Sequence, residues 1–163
     1  MSEEIRKMID KINNFNEFTN LDRLKQLYIS NEFSKEEVVD ISDEGYFNNI
    51  EWLNQNTLIV YRSISLPESK VDNFKKSINN GIGQYWSFNK DIHSIWGSNA
   101  EYEISKNENI IDIRCKGYLK LDDIDFKDLL YAFNDDFYHF CHEQEIRGKL
   151  SGDTIKVIDC RIY

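Results

Sequence analysis

Proline is almost missing from this chain. Its one copy, Pro67, and the absence of any biased tract leave no Pro-rich linker or low-complexity segment to divide the sequence. Cysteine is scarce as well: Cys115, Cys141 and Cys160 are an odd number without CxxC spacing, which reads as reduced, buried thiols. No stretch approaches the roughly 18 apolar residues that span a bilayer, and "MSEEIRKMID" lacks the apolar centre of a signal peptide. Both point to a cytoplasmic protein, in a bacterial or host cell, with no membrane role. Positive charge is in deficit. Twenty Lys and Arg against 29 Asp and Glu leave a net charge of -9, which excludes a general nucleic-acid binder. It does not exclude a small anionic cofactor held locally, nor a basic partner protein.

What is present is globular: 40% hydrophobic residues, 13% aromatic, and enough length for one domain over 1–163. The beginning reads as helical. Ile5, Met8, Ile9, Ile12 and Phe15 recur at helical spacing, then Leu21, Leu24, Leu27 and Tyr28; Ser34 with Glu37 resembles a capping box. "DEGYFNNIEWLNQN" adds a helical turn or two, giving an N-terminal helical segment, 1–56, packed on a β-rich core, 57–163.

In that core "TLIVYRSIS" is a buried strand, and Pro67 opens a helix with Val71, Phe74 and Ile78 on one face. "NNGIGQ" turns the chain into "YWSF". A short helix is expected between Asn89 and Tyr102, a strand (or two joined at Gly117) over 109–121, and a short helix in "DFKDLLYAFNDDF". "EIRGKL", the turn "SGD" and "TIKVIDCRIY" read together as a β-hairpin. Helices first, then strands with short helices among them, make an α+β protein.

"HEQEIRGKL" raises the functional question. In an extended chain Glu143, Glu145, Arg147 and Lys149 share one side, with Ile146 and Leu150 on the other. On alternation alone this is a solvated outer face. A metal site is not expected: a zinc helix of the HExxH type needs a second His where Ile146 stands, and His93 is remote from His139, Cys141 and His142. A Cys141 nucleophile with His139 as its base has nothing else in its favour. Two other residues stand out. Arg62 sits inside the apolar run "LIVYRSI", where a guanidinium calls for an anion, either a carboxylate or a ligand phosphate. Ser87 sits among aromatics just after a glycine turn, where a serine is usually a backbone cap.

Taken in order, "VYRS" (Arg62), "GIGQYWSFNKD" (Ser87) and "EQE" (Glu143, Glu145) resemble the Arg-Ser-Glu class of mono-ADP-ribosyltransferases, particularly small bacterial, phage or toxin-like versions. The resemblance covers about 57–163. Its middle motif keeps the leading serine, with Phe88 and Asn89 where relatives carry Thr and Ser, and Ser63 stands where glycine is common.

The resemblance implies an ADP-ribosyltransferase-like split β-sandwich of two packed, mostly antiparallel sheets, using NAD as co-substrate and no metal. Glu145 would stabilise an oxocarbenium-like ribose, akin to that of glycoside hydrolysis, and hold its 2′-hydroxyl. Ser87 would hydrogen-bond Glu145, Arg62 would grip the pyrophosphate, and the backbone of Ser63 would meet the nicotinamide amide. Glu143 would face an acceptor arginine on a basic target protein. Tyr85, Trp86, Phe88 and Trp96 are candidates to line the pocket or fill the core. The alternatives are a non-catalytic module of the same fold that binds or inhibits another protein, and an NAD glycohydrolase.

Overall fold

The computed structural model describes residues 20–33, 46–47, 49–92, 108–135 and 143–162. The expected helices before residue 20 and after Ser34, and the one between Asn89 and Tyr102 from residue 93 on, lie outside the described residues. So do Trp96, His93, His139, Cys141 and His142.

Two eleven-residue strands, β2 (Thr57–Pro67) and β4 (Ile110–Lys120), pair antiparallel along their whole length and form the centre of a mixed α+β fold. Alternation sorts their side chains. Leu58, Val60, Arg62 and Ile64 stand beside Leu119, Gly117, Cys115 and Ile113 on one face; Tyr61, Ser63 and Ser65 stand beside Lys116, Arg114 and Asp112 on the other. The first face is apolar and packed, with Leu58, Val60, Ile113, Cys115 and Leu119 all fully buried. Arg62 is its one charged member.

Around this pair the sheet is built outward. β1 (Glu51–Asn54) makes a hairpin with the start of β2, while β3 (Tyr85–Ser87) bridges the same edge at Tyr61. β5 (Glu145–Arg147) pairs with β3, and β6 (Lys156–Ile162) pairs with β4. The order is β5-β3-β2-β4-β6, with β1 on β2. Among the described residues these six strands form one antiparallel sheet.

Two sequence expectations change here. The stretch before Thr57 is not helical at 51–54: Trp52 and its neighbours form β1, because the Gln55–Asn56 turn lets them pair with Leu58 and Ile59. The terminal hairpin does not form either. β5 and β6 lie at opposite edges, because β2 and β4 occupy the middle of the sheet. The connection crosses the apolar face instead, burying Leu150 and Ile155. Gly117 permits the crossing: a Cβ there would collide with Leu150 Cδ2 and press on the Trp86 indole at 3.3 Å. β4 accordingly runs through Gly117 unbroken.

Helices cover the apolar face. Pro67 ends β2, a 3-10 turn (Glu68–Lys70) follows, and α2 (Val71–Ser77) leads to the buried Ile78. α3 (Phe126–Asp135) opens on an Asp125 cap, whose Oδ1 accepts the Asp128 N–H at 3.0 Å. α1 (Asn20–Ser30) buries Leu24 and Tyr28 completely. The Tyr28 ring meets Phe33, Tyr46, Phe47 and Phe126 edge-on, with centroids 5.0–6.0 Å apart, and so ties three segments together.

Candidate functional site

β3 lies between β2 and β5, and this brings the sequence-nominated residues into one neighbourhood. Tyr61 faces Ser87, and Ser87 faces Glu145, so the three form a cross-strand row on the polar face. Arg62 is the next residue along β2, and alternation turns its side chain to the apolar face. The structure therefore unites Ser87 with Glu145 and sets Arg62 on an adjacent strand facing the other way.

The "EQE" stretch is a turn, not an extended run. Gln144 has φ +51°, in the left-handed region, and β5 begins only at Glu145. Glu143 is therefore not part of the strand face that carries Glu145; it is exposed at the turn. Contacts from several segments clamp this turn. The Ser87 hydroxyl donates to the Glu143 carbonyl at 2.6 Å and accepts the Asn89 N–H at 2.9 Å. Phe88 N–H donates to the Gln144 carbonyl at 3.1 Å. The buried Gln144 amide donates to the Tyr46 carbonyl and accepts from Asn49 Nδ2, both at 3.0 Å. Tyr46 donates its hydroxyl to the Glu145 carbonyl and contacts the Tyr28 hydroxyl at 2.7 Å. The expected Ser87 bond to the Glu145 carboxylate is absent: the buried Ser87 side chain braces the backbone of the turn. Gln144 was invisible in the sequence because nothing local marks the middle residue of a Glu-x-Glu pair as an inward-facing anchor.

The Glu145 carboxylate has another partner. Arg147, two residues on and on the same face, donates Nε to Glu145 Oε1 at 2.7 Å and Nη1 to Asp128 Oδ2 at 2.8 Å. Gln84 Nε2 also donates to Asp128, at 3.0 Å, and the guanidinium lies over the Tyr85 ring at 4.3 Å. Burial opposes the charge on Arg147, but the bonds to Asp128 and Glu145 outweigh it and hold its pKa above the ordinary value. The i, i+2 alternation that set Arg147 on the same side as Glu145 was its one sequence signal; Asp128 had none.

Arg62 stands in contrast. Its Nη1 is buried and, among the described residues, has no hydrogen-bond partner. Burial lowers its pKa, offset partly by Cys115 and Tyr85. The guanidinium lies against Gly83, whose φ is +96°; a Cβ there would come within 2.6 Å of Nη1. Glycine at 83 thus makes the room the arginine head occupies.

On the polar face the Ser63 hydroxyl donates to Asp112 Oδ1, and Ser65 approaches the same oxygen at 3.5 Å. Of the aromatic candidates, Trp86 and Phe88 are core, while Tyr85 is 48% exposed at the site. Of the thiols, Cys115 is buried and pushed by that burial up to about 11, whereas Cys160 is exposed, contrary to the expectation of buried thiols. An open depression of about 550 Å³ is lined by Asn54, Gln55, Asn56, Thr57, Lys120 and Asp122; it includes none of Arg62, Ser87 and Glu145. No helix among the described residues is long and apolar enough to cross a membrane.

Comparison with protein families, with curated proteins and with solved structures finds no match for this chain.

Proposed function

We propose that the chain is a mono-ADP-ribosyltransferase of the Arg-Ser-Glu type, with a split β-sandwich fold of that family, acting on arginine of a basic target protein. One observation carries the reading. The strands bearing Arg62, Ser87 and Glu145, drawn from a span of 84 positions, are consecutive neighbours β2-β3-β5, and Ser87 is paired directly with Glu145. The buried, unpartnered Arg62 Nη1 supports it, since a guanidinium in that state favours an anion such as a pyrophosphate.

On this reading Glu145 stabilises the ribose cation as the glycosidic bond of NAD breaks and nicotinamide leaves with the bonding electrons. A guanidinium nitrogen of the target then bonds to the ribose carbon and gives up a proton to Glu143. Ser87 acts by holding the 143–145 turn rather than the Glu145 carboxylate, and Arg147 fixes that carboxylate's direction.

The Arg147–Glu145 ion pair favours a second reading, because a carboxylate already neutralised suits a non-catalytic binding module. Labelled NAD separates the two. The enzyme turns it over, alone or with a cell lysate, and Glu145→Ala abolishes this; Glu143→Gln spares hydrolysis but reduces label transfer. Free ADP-ribose without labelled protein identifies an NAD glycohydrolase. No turnover in either mixture overturns the proposal in favour of the module.

A further inference from the structure

We infer that Asp128 is a positioning residue of the candidate site: by drawing Arg147 to one side, it keeps the second carboxylate oxygen of Glu145, Oε2, open to a ligand. The nature of that ligand rests on the enzymatic reading, on which it is the cationic ribose.

An arginine carries a fork of donors, and its strongest grip on a carboxylate is bidentate, with Nε and one Nη on the two oxygens. Arg147 does not hold Glu145 in this way. It meets Oε1 through Nε alone, at 2.7 Å, and Glu145 Oε2 has no hydrogen bond among the described residues. The two side chains are only 14% and 17% exposed, so a second bond would lie in a shielded place and be worth more than at an open surface. Residues two apart on one strand face are close enough to make it. Something holds the fork off.

The hold comes from α3. The Asp125 N–H donates to the carbonyl of Arg147 itself at 2.9 Å, so the helix starts against the strand at this residue. Asp125 Oδ1 then accepts the Asp128 N–H at 3.0 Å, which fixes Asp128 in the first turn beside the guanidinium. Asp128 Oδ2 takes Arg147 Nη1 at 2.8 Å, and Gln84 Nε2 donates to the same oxygen at 3.0 Å. The Tyr85 ring, with its centroid 4.3 Å from the guanidinium carbon, restrains the tilt of the group. A planar group pinned at Nη1 and laid on a ring is not free to swing Nη2 onto Oε2. Charge points the same way. One guanidinium serves two carboxylates, so the trio keeps a net negative charge, which suits a cation developing on the ribose.

The test uses the purified full chain and its variants with NAD. Asp128→Ala removes the acceptor; Arg147 then closes on both Glu145 oxygens, and NAD turnover falls at least about tenfold. Arg147→Met alone leaves Glu145 open but unaimed, with a smaller loss. Asp128→Ala added to it costs nothing further, so turnover in the double variant rises back above that of Asp128→Ala. A variant that merely misfolds would not recover in this way, and circular dichroism accompanies each. The crystal structure of Asp128→Ala gives a readout apart from activity: Nη2 and Oε2 within hydrogen-bond distance. Turnover in Asp128→Ala equal to wild type overturns the inference, as does a double variant no better than Asp128→Ala. An Asp128→Ala structure in which Arg147 still leaves Oε2 unbonded overturns it whatever the activity. A wild-type chain that turns over no NAD sinks the enzymatic reading instead, and the variant structure then decides the inference by itself: the second bond upholds it, and its absence overturns it.

Discussion

The two faces of the β2–β4 pair are made from the same two strands, yet they obey different rules. On the apolar face Leu58, Val60, Ile113 and Leu119 are sealed against helices and the Leu150 crossing, so shape decides which residue fits. On the polar face partners decide. Ser63 and Ser65 gather on Asp112, Tyr61 reaches Glu51 at 3.2 Å, and beyond β3 Arg147 joins Glu145 to Asp128. The two arginines make the contrast sharp: Arg147 is doubly paired on the polar face, and Arg62 has a bare nitrogen on the apolar one. A buried guanidinium nitrogen without a partner costs stability, and Arg147 avoids that cost where Arg62 Nη1, among the described residues, does not.

The comparison can be broken most directly by truncation on each face. Leu119→Ala removes a fully buried side chain and costs about 2–5 kcal/mol in denaturant unfolding, while Lys116→Ala on the other face changes stability by less than about 0.5 kcal/mol. Equal costs would erase the distinction. Next come the arginines. Arg147→Met leaves two carboxylates without their shared donor and destabilises by about 1–3 kcal/mol. Arg62→Met removes a charge whose Nη1 is buried without a partner among the described residues, and leaves stability unchanged or raised by about 1 kcal/mol; on the proposed enzymatic reading it also lowers NAD turnover. A large loss of stability from Arg62→Met would place Arg62 in the structural framework instead.

The smallest effect is a titration. Burial first, then the charge and hydrogen bond of Glu51, push the Tyr61 phenol from 10.0 up to about 12. The folded state thus favours neutral Tyr61. That stabilisation is whole below pH 10 and is lost as pH rises through 12. Tyrosinate absorbance should show one late-titrating phenol that Tyr61→Phe removes, with a shallower alkaline loss of stability in that variant.

Much of the local structure was legible from residue order. β2, β4 and α3 fall where β-branched runs and helical periodicity put them, and Val71, Phe74 and Ile78 do line up toward the core. The misreadings have a common cause. Trp52 and its neighbours became a strand because β2 offered an edge, and "EIRGKL" found β3 rather than "TIKVIDC" because the centre was taken. At the candidate site the sequence nominated Ser87 and Glu145, which the sheet pairs. It missed Gln144, Arg147 and Asp128, whose roles exist only through contacts with distant segments.

By itself, the sequence determined which stretches extend, which coil into helices and which side of each strand is greasy, because those preferences act among residues a few positions apart. The tertiary structure alone decided strand order among the described residues, the left-handed kink at Gln144, and the opposed facing of Arg62 and Glu145. These depend on which distant segments share the limited apolar surface, and no local preference encodes that competition.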